Sequence, residues 1–229
     1  MEALQSIPPF TRVYGIIVIA ISLTVTLQLI NPIYLIYIPS LVFKKGEIWR
    51  LFTAPFFLGK LDFNFIVYML TSFMFVSSLE ANHFQKRTSN LVFIFILNVI
   101  LVLIISSILI SFSIGRSVLI SIEYLYSKLF SQGVVRLFMI IPVPAAYLPF
   151  VNIVFAVLQG GSIIPDVIGI ISGHIVFYTL FILPVEMNKP FLKCPKFLVD
   201  WLDDNGFPNP QDVQRPQNPM AGRGRRIGD

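Results

Sequence analysis

The sequence predicts an all-α polytopic membrane protein with six membrane-spanning helices and a polar C-terminal tail. Hydrophobic residues make up 55% of the 229, charged residues only 13%, and the mean hydropathy is +0.79. So little charge is typical of a multi-span membrane protein and excludes a soluble domain of this size. The apolar runs follow one another almost without interruption, and Pro, Asn, Gln and Gly become frequent only after residue 202.

The apolar runs are long enough to define six spans within one membrane domain, residues 1–188. The third run is the most lipid-like, with Asn98 as its only strongly polar side chain. The fourth is short and carries Glu123, so we expect it at the centre of the bundle, because a carboxyl group facing lipid is costly. No strand pattern is found. The predicted spans are residues 13–30, 63–79, 91–112, 117–130, 146–158 and 163–183.

Two stretches near the N-terminus do not fit a span. Pro8-Pro9 is expected to end any helix that precedes the first span. Residues 31–62 are too polar to cross a bilayer but are rich in Phe, Leu, Ile and Trp, as an interfacial segment would be.

The basic residues predict the orientation. Six spans put both termini on one side of the membrane, and of the 17 lysines and arginines 12 fall on that side and 5 on the other. Cytosolic loops carry the excess of basic residues, so both termini are predicted to be cytosolic. The net charge of +5 comes largely from the ends and short loops, and it therefore does not indicate nucleic-acid binding.

The chain after the last span divides into two parts. Residues 189–202 are predicted to form an amphipathic juxtamembrane segment, and residues 203–229 a disordered tail because they are rich in Pro, Asn, Gln and Gly. The amphipathic segment has one apolar face, and its lysines and aspartates fall outside that face. The face comprises Cys194, Phe197, Leu198, Trp201 and Leu202.

The sixth span carries the most informative polar pattern. Gly169 and Gly173 form a G-x-x-x-G pair, which allows another helix to approach closely. Asp166 lies three residues before Gly169 and so faces the same way, into protein. Two interpretations stay open: a tightly packed helix with a neutral or paired aspartate, or a helix that lines a working cavity. For His174 we expect a hydrogen bond to Tyr178, one turn later.

Metal and cofactor sites are not predicted. The two histidines, His83 and His174, lie on different segments, and the single cysteine, Cys194, is near the tail. No phosphate-binding loop follows a strand. The cofactor prediction is therefore none.

One catalytic hypothesis concerns a serine protease that acts within the membrane. Gly115-Arg116-Ser117-Val118 has the Gly and Ser of a G-x-S-G pattern, with Val118 in place of the second glycine. His174 is the only candidate base within a span. It lies roughly 16 Å deeper along its helix than Ser117 does along its own, whereas a hydrogen bond needs about 3 Å.

Four motifs follow one another along nearly the whole chain: I-P-P-F-T-R at 7–12, the segment 41–50 with its Trp49-Arg50 pair, Leu79-Glu80 followed by Lys86-Arg87, and the stretch from Asp166 to His174. In this order they resemble the derlin family, the inactive branch of the rhomboid-protease superfamily. The resemblance implies a rhomboid-like fold of six transmembrane helices in the endoplasmic reticulum membrane. In active rhomboids the catalytic histidine occupies the position of Asp166, so the resemblance implies a pseudoprotease.

The end of the tail resembles the short box through which derlins recruit a hexameric AAA segregase ATPase. Its glycines would let the backbone lie flat on a partner, while an arginine and an isoleucine supply charge and an apolar anchor. The residues of this segregase-binding tail are Gly222, Gly224, Arg226, Ile227 and Gly228.

The resemblance implies a non-catalytic role in endoplasmic-reticulum-associated degradation, with misfolded proteins as substrates and a ubiquitin ligase complex as a further partner. Asn98, Glu123, Asp166 and His174 would line a hydrated cavity within a locally thinned membrane.

Trp49 and Arg50 would anchor the first loop at the lumenal interface. The alternatives are an active intramembrane rhomboid serine protease that uses Ser117 and, ranked last, a small-molecule carrier.

Overall fold

A computed structural model describes residues 7–84, 87–137, 141–158, 160–187 and 192–202. The polypeptide is α-helical and polytopic, as predicted. Within the described ranges, four helical segments are long and apolar enough to cross a membrane: Pro9–Thr26, Phe63–His83, Thr88–Leu109 and Ile164–Glu186.

The first span, α1 (Pro9–Thr26), begins four residues before its predicted start. Pro9 is the first residue of this helix, because proline has φ fixed near the helical value and the first turn needs no amide donor. The predicted end at residue 30 is also too late, since the helix stops at Thr26.

The loop after α1 is folded rather than irregular. It contains a 3₁₀ turn at Pro32–Tyr34, the helices α2 (Pro39–Lys45) and α3 (Trp49–Thr53), and a second 3₁₀ turn at Ala54–Phe56. Phe56 packs against Tyr14 and Phe95, which both contact Phe10, and this aromatic cluster joins the loop to two spans. The loop is thereby fixed to the membrane bundle.

The next two spans are long. Helix α4 (Phe63–Ser78) is capped at its N-terminus by Asp62, whose carboxylate accepts a hydrogen bond from the Phe65 amide at 2.8 Å. It continues through a π-helical turn, Leu79–His83. Helix α5 (Thr88–Leu109) has 22 residues, which is long enough for the hydrocarbon core of a bilayer.

The fourth span, α6 (Ile114–Leu129), occupies the centre of the bundle. Twelve of its sixteen residues are buried, which confirms its predicted position. Helices α4 and α5 pack against it, as do α7 (Leu148–Leu158) and α8 (Ile164–Phe177).

A short antiparallel ladder connects α6 to α7, although no strand is predicted from the sequence. Strand β1 (Val134–Leu137) pairs with β2 (Ile141–Pro144), and Arg136 lies opposite Pro142. Each strand of a two-stranded ladder is an edge, so the missing proline amides are tolerated. Pro142 and Pro144 disfavour a helix here, but a break in a helix does not by itself indicate a strand, so the sequence does not predict the ladder. A 3₁₀ turn, Ala145–Tyr147, leads into α7.

The C-terminal elements differ in their bounds from the prediction. Helix α8 passes through a π-helical turn, Tyr178–Ile182, into the short helix α9 (Leu183–Glu186). Helix α10 (Lys196–Leu202) covers half of the predicted amphipathic segment 189–202, of which residues 189–191 lie outside the described residues. On its proposed apolar face Leu198 is buried, whereas Phe197 and Trp201 are 72% and 79% exposed.

Candidate functional site

Helices α6 and α8 pack directly against each other, and two glycines allow their close approach. A Cβ atom on Gly169 would lie 2.6 Å from both Ile120 Cβ and the Ser117 carbonyl oxygen. A Cβ atom on Gly173 would lie 2.8 Å from the Ser121 carbonyl oxygen. Both spacings are shorter than van der Waals contact, so only glycine fits. The G-x-x-x-G strip of α8 faces α6, and the two helices run parallel.

An ion pair joins the first turns of these two helices. Arg116 donates through Nε to Asp166 Oδ1 at 2.9 Å and through Nη2 to Oδ2 at 2.8 Å. Asp166 is fully buried, while the Arg116 side chain is 17% exposed. The guanidinium also lies 5.3 Å from the centre of the Tyr68 ring. Of the two interpretations left open by the sequence, the structure agrees with the tightly packed helix whose aspartate is paired.

The sequence analysis does not pair Asp166 with Arg116, which it treats as a loop charge and as part of the Gly115–Val118 motif. A usable signal was present in the topology. The predicted fourth and sixth spans start on the same side of the membrane, so residues in their first turns lie at the same depth. A basic residue and an acidic residue at equal depth within the membrane are expected to pair.

Ser117 and His174 do not form a catalytic pair. The Ser117 hydroxyl donates to the Ser113 carbonyl at 3.2 Å, and His174 Nδ1 is 2.8 Å from the Tyr124 hydroxyl. The prediction that His174 bonds to Tyr178 is wrong, because the Tyr178 hydroxyl donates to Glu186 at 3.3 Å. Tyr124 lies on the facing helix, where sequence spacing alone does not reveal a contact.

Two further polar bridges tie α6 to its neighbours. Ser121 donates to Asn98 Oδ1 on α5, and Asn98 Nδ2 donates to the Ile94 carbonyl at 3.2 Å. Asn152 on α7 donates to Glu123 Oε2. Together with the ion pair to α8, these bonds hold three different helices against α6.

These pairings correct the expectation of a shared hydrated cavity. Asn98 and Asp166 are fully buried and Glu123 is 6% exposed, and each is satisfied by a neighbouring helix. Among the four residues proposed to line that cavity, only His174 lines either of the two cavities described next. Burial without a partner is costly for a polar group in a membrane, so the other three are paired instead.

Two cavities of similar size lie at opposite ends of the α6–α8 contact. The Arg116 cavity, about 330 Å³, is lined mainly by the first loop and by Asp62, Asn64, Tyr68 and Arg116. The His174 cavity, about 350 Å³, lies between α6, α7 and α8 near Lys128.

The Trp49-Arg50 pair has two separate roles. Trp49 is half exposed, and its Nε1 donates to the Tyr34 carbonyl at 3.2 Å. Arg50 is 2% exposed and donates to the carbonyls of Ile33 and Ile36, the latter at 2.8 Å, and through Nε to Glu47 at 2.7 Å. Arg50 is therefore an internal brace of the loop rather than the interfacial anchor expected from the sequence.

A buried carboxylate, Glu80, was not predicted to have a structural role. It accepts bonds from the amides of Phe10 and Thr11, both at 2.9 Å, from the Thr11 hydroxyl at 2.8 Å, and from Thr88 at 3.1 Å. It thus binds the N-terminal turn of α1 to the start of α5. Carboxylates are stabilised at helix N-termini, where amide donors are unpaired.

The segregase-binding tail predicted at residues 222–228 lies outside the described residues. Its residues therefore have no structural counterpart among the contacts above.

A family model, the Der1-like family, matches residues 7–196. The chain belongs to the Der1-like family. Derlin-1 of Arabidopsis thaliana is 32% identical over 199 residues, covering 86% of this chain and 75% of that protein. Derlin-1.2 of Zea mays is 32% identical over 86% of this chain and 82% of its own. Derlin-1 of Homo sapiens is 28% identical across 98% of this chain and 96% of its own length.

Membership of the Der1-like family agrees with the rhomboid-like, multi-pass membrane fold seen in the helices. It also supports a role in endoplasmic-reticulum-associated degradation. The family match includes the ion pair, the glycine strip and the braced loop, because all of these lie between residues 7 and 196.

Proposed function

We propose that this protein is a non-catalytic component of endoplasmic-reticulum-associated degradation. It would help misfolded lumenal or membrane proteins pass to the cytosol and would recruit the AAA segregase ATPase that pulls them. Both termini would be cytosolic, and a ubiquitin ligase complex of the endoplasmic reticulum membrane would receive the substrate. The single observation that carries the non-catalytic part is the ion pair between Arg116 and Asp166.

Asp166 occupies the position at which active rhomboids, by resemblance, carry their catalytic histidine. A serine nucleophile needs a base within about 3 Å that accepts its proton. Both carboxylate oxygens of Asp166 accept bonds from Arg116 instead, and the Ser117 hydroxyl donates to a backbone carbonyl. His174 is held by Tyr124. This arrangement supports a pseudoprotease.

Helix lengths support the proposal of a locally thinned membrane. At 1.5 Å per residue, the 16 residues of α6 span about 24 Å and the 11 residues of α7 about 17 Å. The hydrocarbon core of a bilayer is about 30 Å thick. Short spans are accommodated by thinning the bilayer around them. A thinner bilayer would lower the cost of moving polar polypeptide across it.

The recruitment of the ATPase rests on the resemblance of the tail alone, so it is the first part to test. Detergent-solubilised full-length protein should capture the purified AAA segregase ATPase, and a chain lacking residues 222–229 should not. The matched variants are Arg226→Ala, within the box, and Arg215→Ala, outside it, because each removes one positive charge. Capture that is equal for both variants and for the truncated chain would contradict the proposed recruitment.

The non-catalytic proposal has its own test, a fluorophosphonate probe that labels activated serines. We expect no labelling of the membrane-embedded protein. Labelling that disappears in Ser117→Ala would instead establish the rival function, an active intramembrane serine protease.

A substitution in the glycine strip tests the role of the contact between α6 and α8. Gly169→Leu should lengthen the half-life of a lumenal degradation substrate in cells, because the larger side chain forces α8 away from α6. An unchanged half-life with a correctly inserted variant would contradict the role of this contact.

A further inference from the structure

The His174 cavity has a polar floor made by two facing helices. Tyr124 and His174 meet there through the bond between the Tyr124 hydroxyl and Nδ1, at 2.8 Å. Lys128, one turn beyond Tyr124 on α6, places its Nζ 5.3 Å from the centre of the Tyr124 ring. A lysine at the end of a span usually extends along the surface toward water. Here its ammonium lies over the ring and beside the cavity.

Two polar groups of this floor, on His174 and Lys128, can still donate hydrogen bonds to a ligand. When Tyr124 donates to Nδ1, the neutral His174 ring carries its proton on Nε2 and can donate from there. Ser127 already donates to the Tyr124 carbonyl at 2.7 Å. Among the residues that line the cavity there is no carboxylate, and Lys128 has no ion-pair partner in the part of the chain that the structure describes. The cavity is therefore suited to an anion.

The walls of the cavity are apolar and open toward the lipid. Phe150 on α7 is 60% exposed, and Ile171 and Ile175 on α8 are 41% and 40% exposed. In a membrane, these side chains face acyl chains rather than water. A soluble anion would have to cross this apolar surface, whereas a phospholipid would place its chains along it. Charge complementarity and the apolar walls together favour one kind of occupant.

We propose that the His174 cavity binds the phosphate group of an anionic membrane phospholipid. Lys128 would pair with the phosphate, His174 would donate to it, and the acyl chains would lie along the exposed seam between α7 and α8. The volume of about 350 Å³ lies within the range of small-molecule pockets. Bound lipid would fill the space between three helices that the protein itself leaves open.

The test is native mass spectrometry of the purified full-length protein with dioleoylphosphatidic acid or dioleoylphosphatidylcholine added. The wild-type protein should retain the anionic lipid in preference to the zwitterionic one. Lys128→Gln should weaken retention of phosphatidic acid by roughly tenfold, because a charge-assisted bond is lost. Lys196→Gln, which removes an exposed lysine on α10, should leave it unchanged. His174→Gln serves as a second variant if Lys128→Gln does not fold.

A steric pair of variants tests the same site without changing any charge. Ile171→Trp should block the cavity and reduce retention of the lipid, whereas Ile164→Trp, on an equally exposed position of α8 outside the cavity, should not. Equal retention of phosphatidic acid by all of these variants would overturn the proposal. Displacement of the lipid by an excess of inorganic phosphate would also overturn it, because the site would then bind a free anion.

Discussion

The contact between α6 and α8 has a basic residue at each end, but only one of the two is paired with a carboxylate. At one end the cation Arg116 makes two bonds to a fully buried carboxylate. At the other end the cation Lys128 is exposed, lies over a tyrosine ring, and faces a cavity with no carboxylate in its lining. Between the two ends, Gly169 and Gly173 keep the helices too close for any side chain to intervene.

The difference teaches how position in a membrane bundle decides what a polar residue does. A charged group that is fully enclosed must find its partner within the protein, since lipid offers none. Lys128 lies at a cavity whose lining contains no carboxylate, so its charge stays available to an external ligand. We therefore assign the Arg116 end to stability and the Lys128 end to binding, and four predictions test this assignment.

The largest effect is expected when one member of the ion pair is removed. Asp166→Ala should lower the free energy of unfolding by about 3–5 kcal/mol, because the guanidinium of Arg116, which is only 17% exposed, loses its partner. Unfolding by a denaturing detergent, followed through tryptophan fluorescence, would measure it. The double variant Arg116→Met with Asp166→Leu should lose less than Asp166→Ala alone. Additive losses in Arg116→Met, Asp166→Leu and the double variant would mean that the pair is not coupled.

The second effect concerns the glycine strip that separates the two ends. Gly169→Ala should cost about 1–3 kcal/mol, because its methyl group would collide with Ile120 and with the backbone at Ser117. Gly161→Ala is the matched control: its Cβ would lie 3.4 Å from the nearest atom, at ordinary contact distance, and the change should stay within about 0.5 kcal/mol. The same detergent titration compares them, and equal stability of the two variants would refute the close-packing explanation.

Sequence reasoning predicted features that depend on local spacing and missed those that depend on distant partners. The G-x-x-x-G strip and the inward orientation of Asp166 follow from helical periodicity within one span. Arg116 and Asp166 are 50 positions apart, as are Tyr124 and His174. The local choice of Tyr178 as the partner of His174 failed because a residue on the facing helix was closer.

In the first loop, too, the sequence predicts the location of the segment but not the contacts of each side chain. Its content of Phe, Leu, Ile and Trp predicts an interfacial segment, and Trp49 is half exposed as such a segment requires. Arg50, the next residue, is buried because three acceptors within the loop surround its guanidinium. Composition predicts where a segment lies, but it does not predict which backbone carbonyls converge on one side chain.

The third prediction concerns the hydrogen bond at the open end. Tyr124→Phe should cost about 0.5–1.5 kcal/mol, the usual contribution of one hydrogen bond. The loss stays small because His174 is exposed to the cavity and can find another partner there. Tyr178→Phe, which removes a hydroxyl bonded to exposed Glu186, should have no measurable effect. A loss for Tyr124→Phe as large as that for Asp166→Ala would contradict the distinction between the two ends.

The smallest effect on stability is expected at Lys128. Lys128→Gln should change the free energy of unfolding by less than about 0.5 kcal/mol in detergent alone, because this cation has no ion pair to lose within the described residues. Added phosphatidic acid should stabilise the wild-type protein, since a ligand that binds only the folded state adds stability, and it should stabilise Lys128→Gln much less. A large loss without lipid would make Lys128 a structural residue like Arg116, and the two ends would then no longer differ.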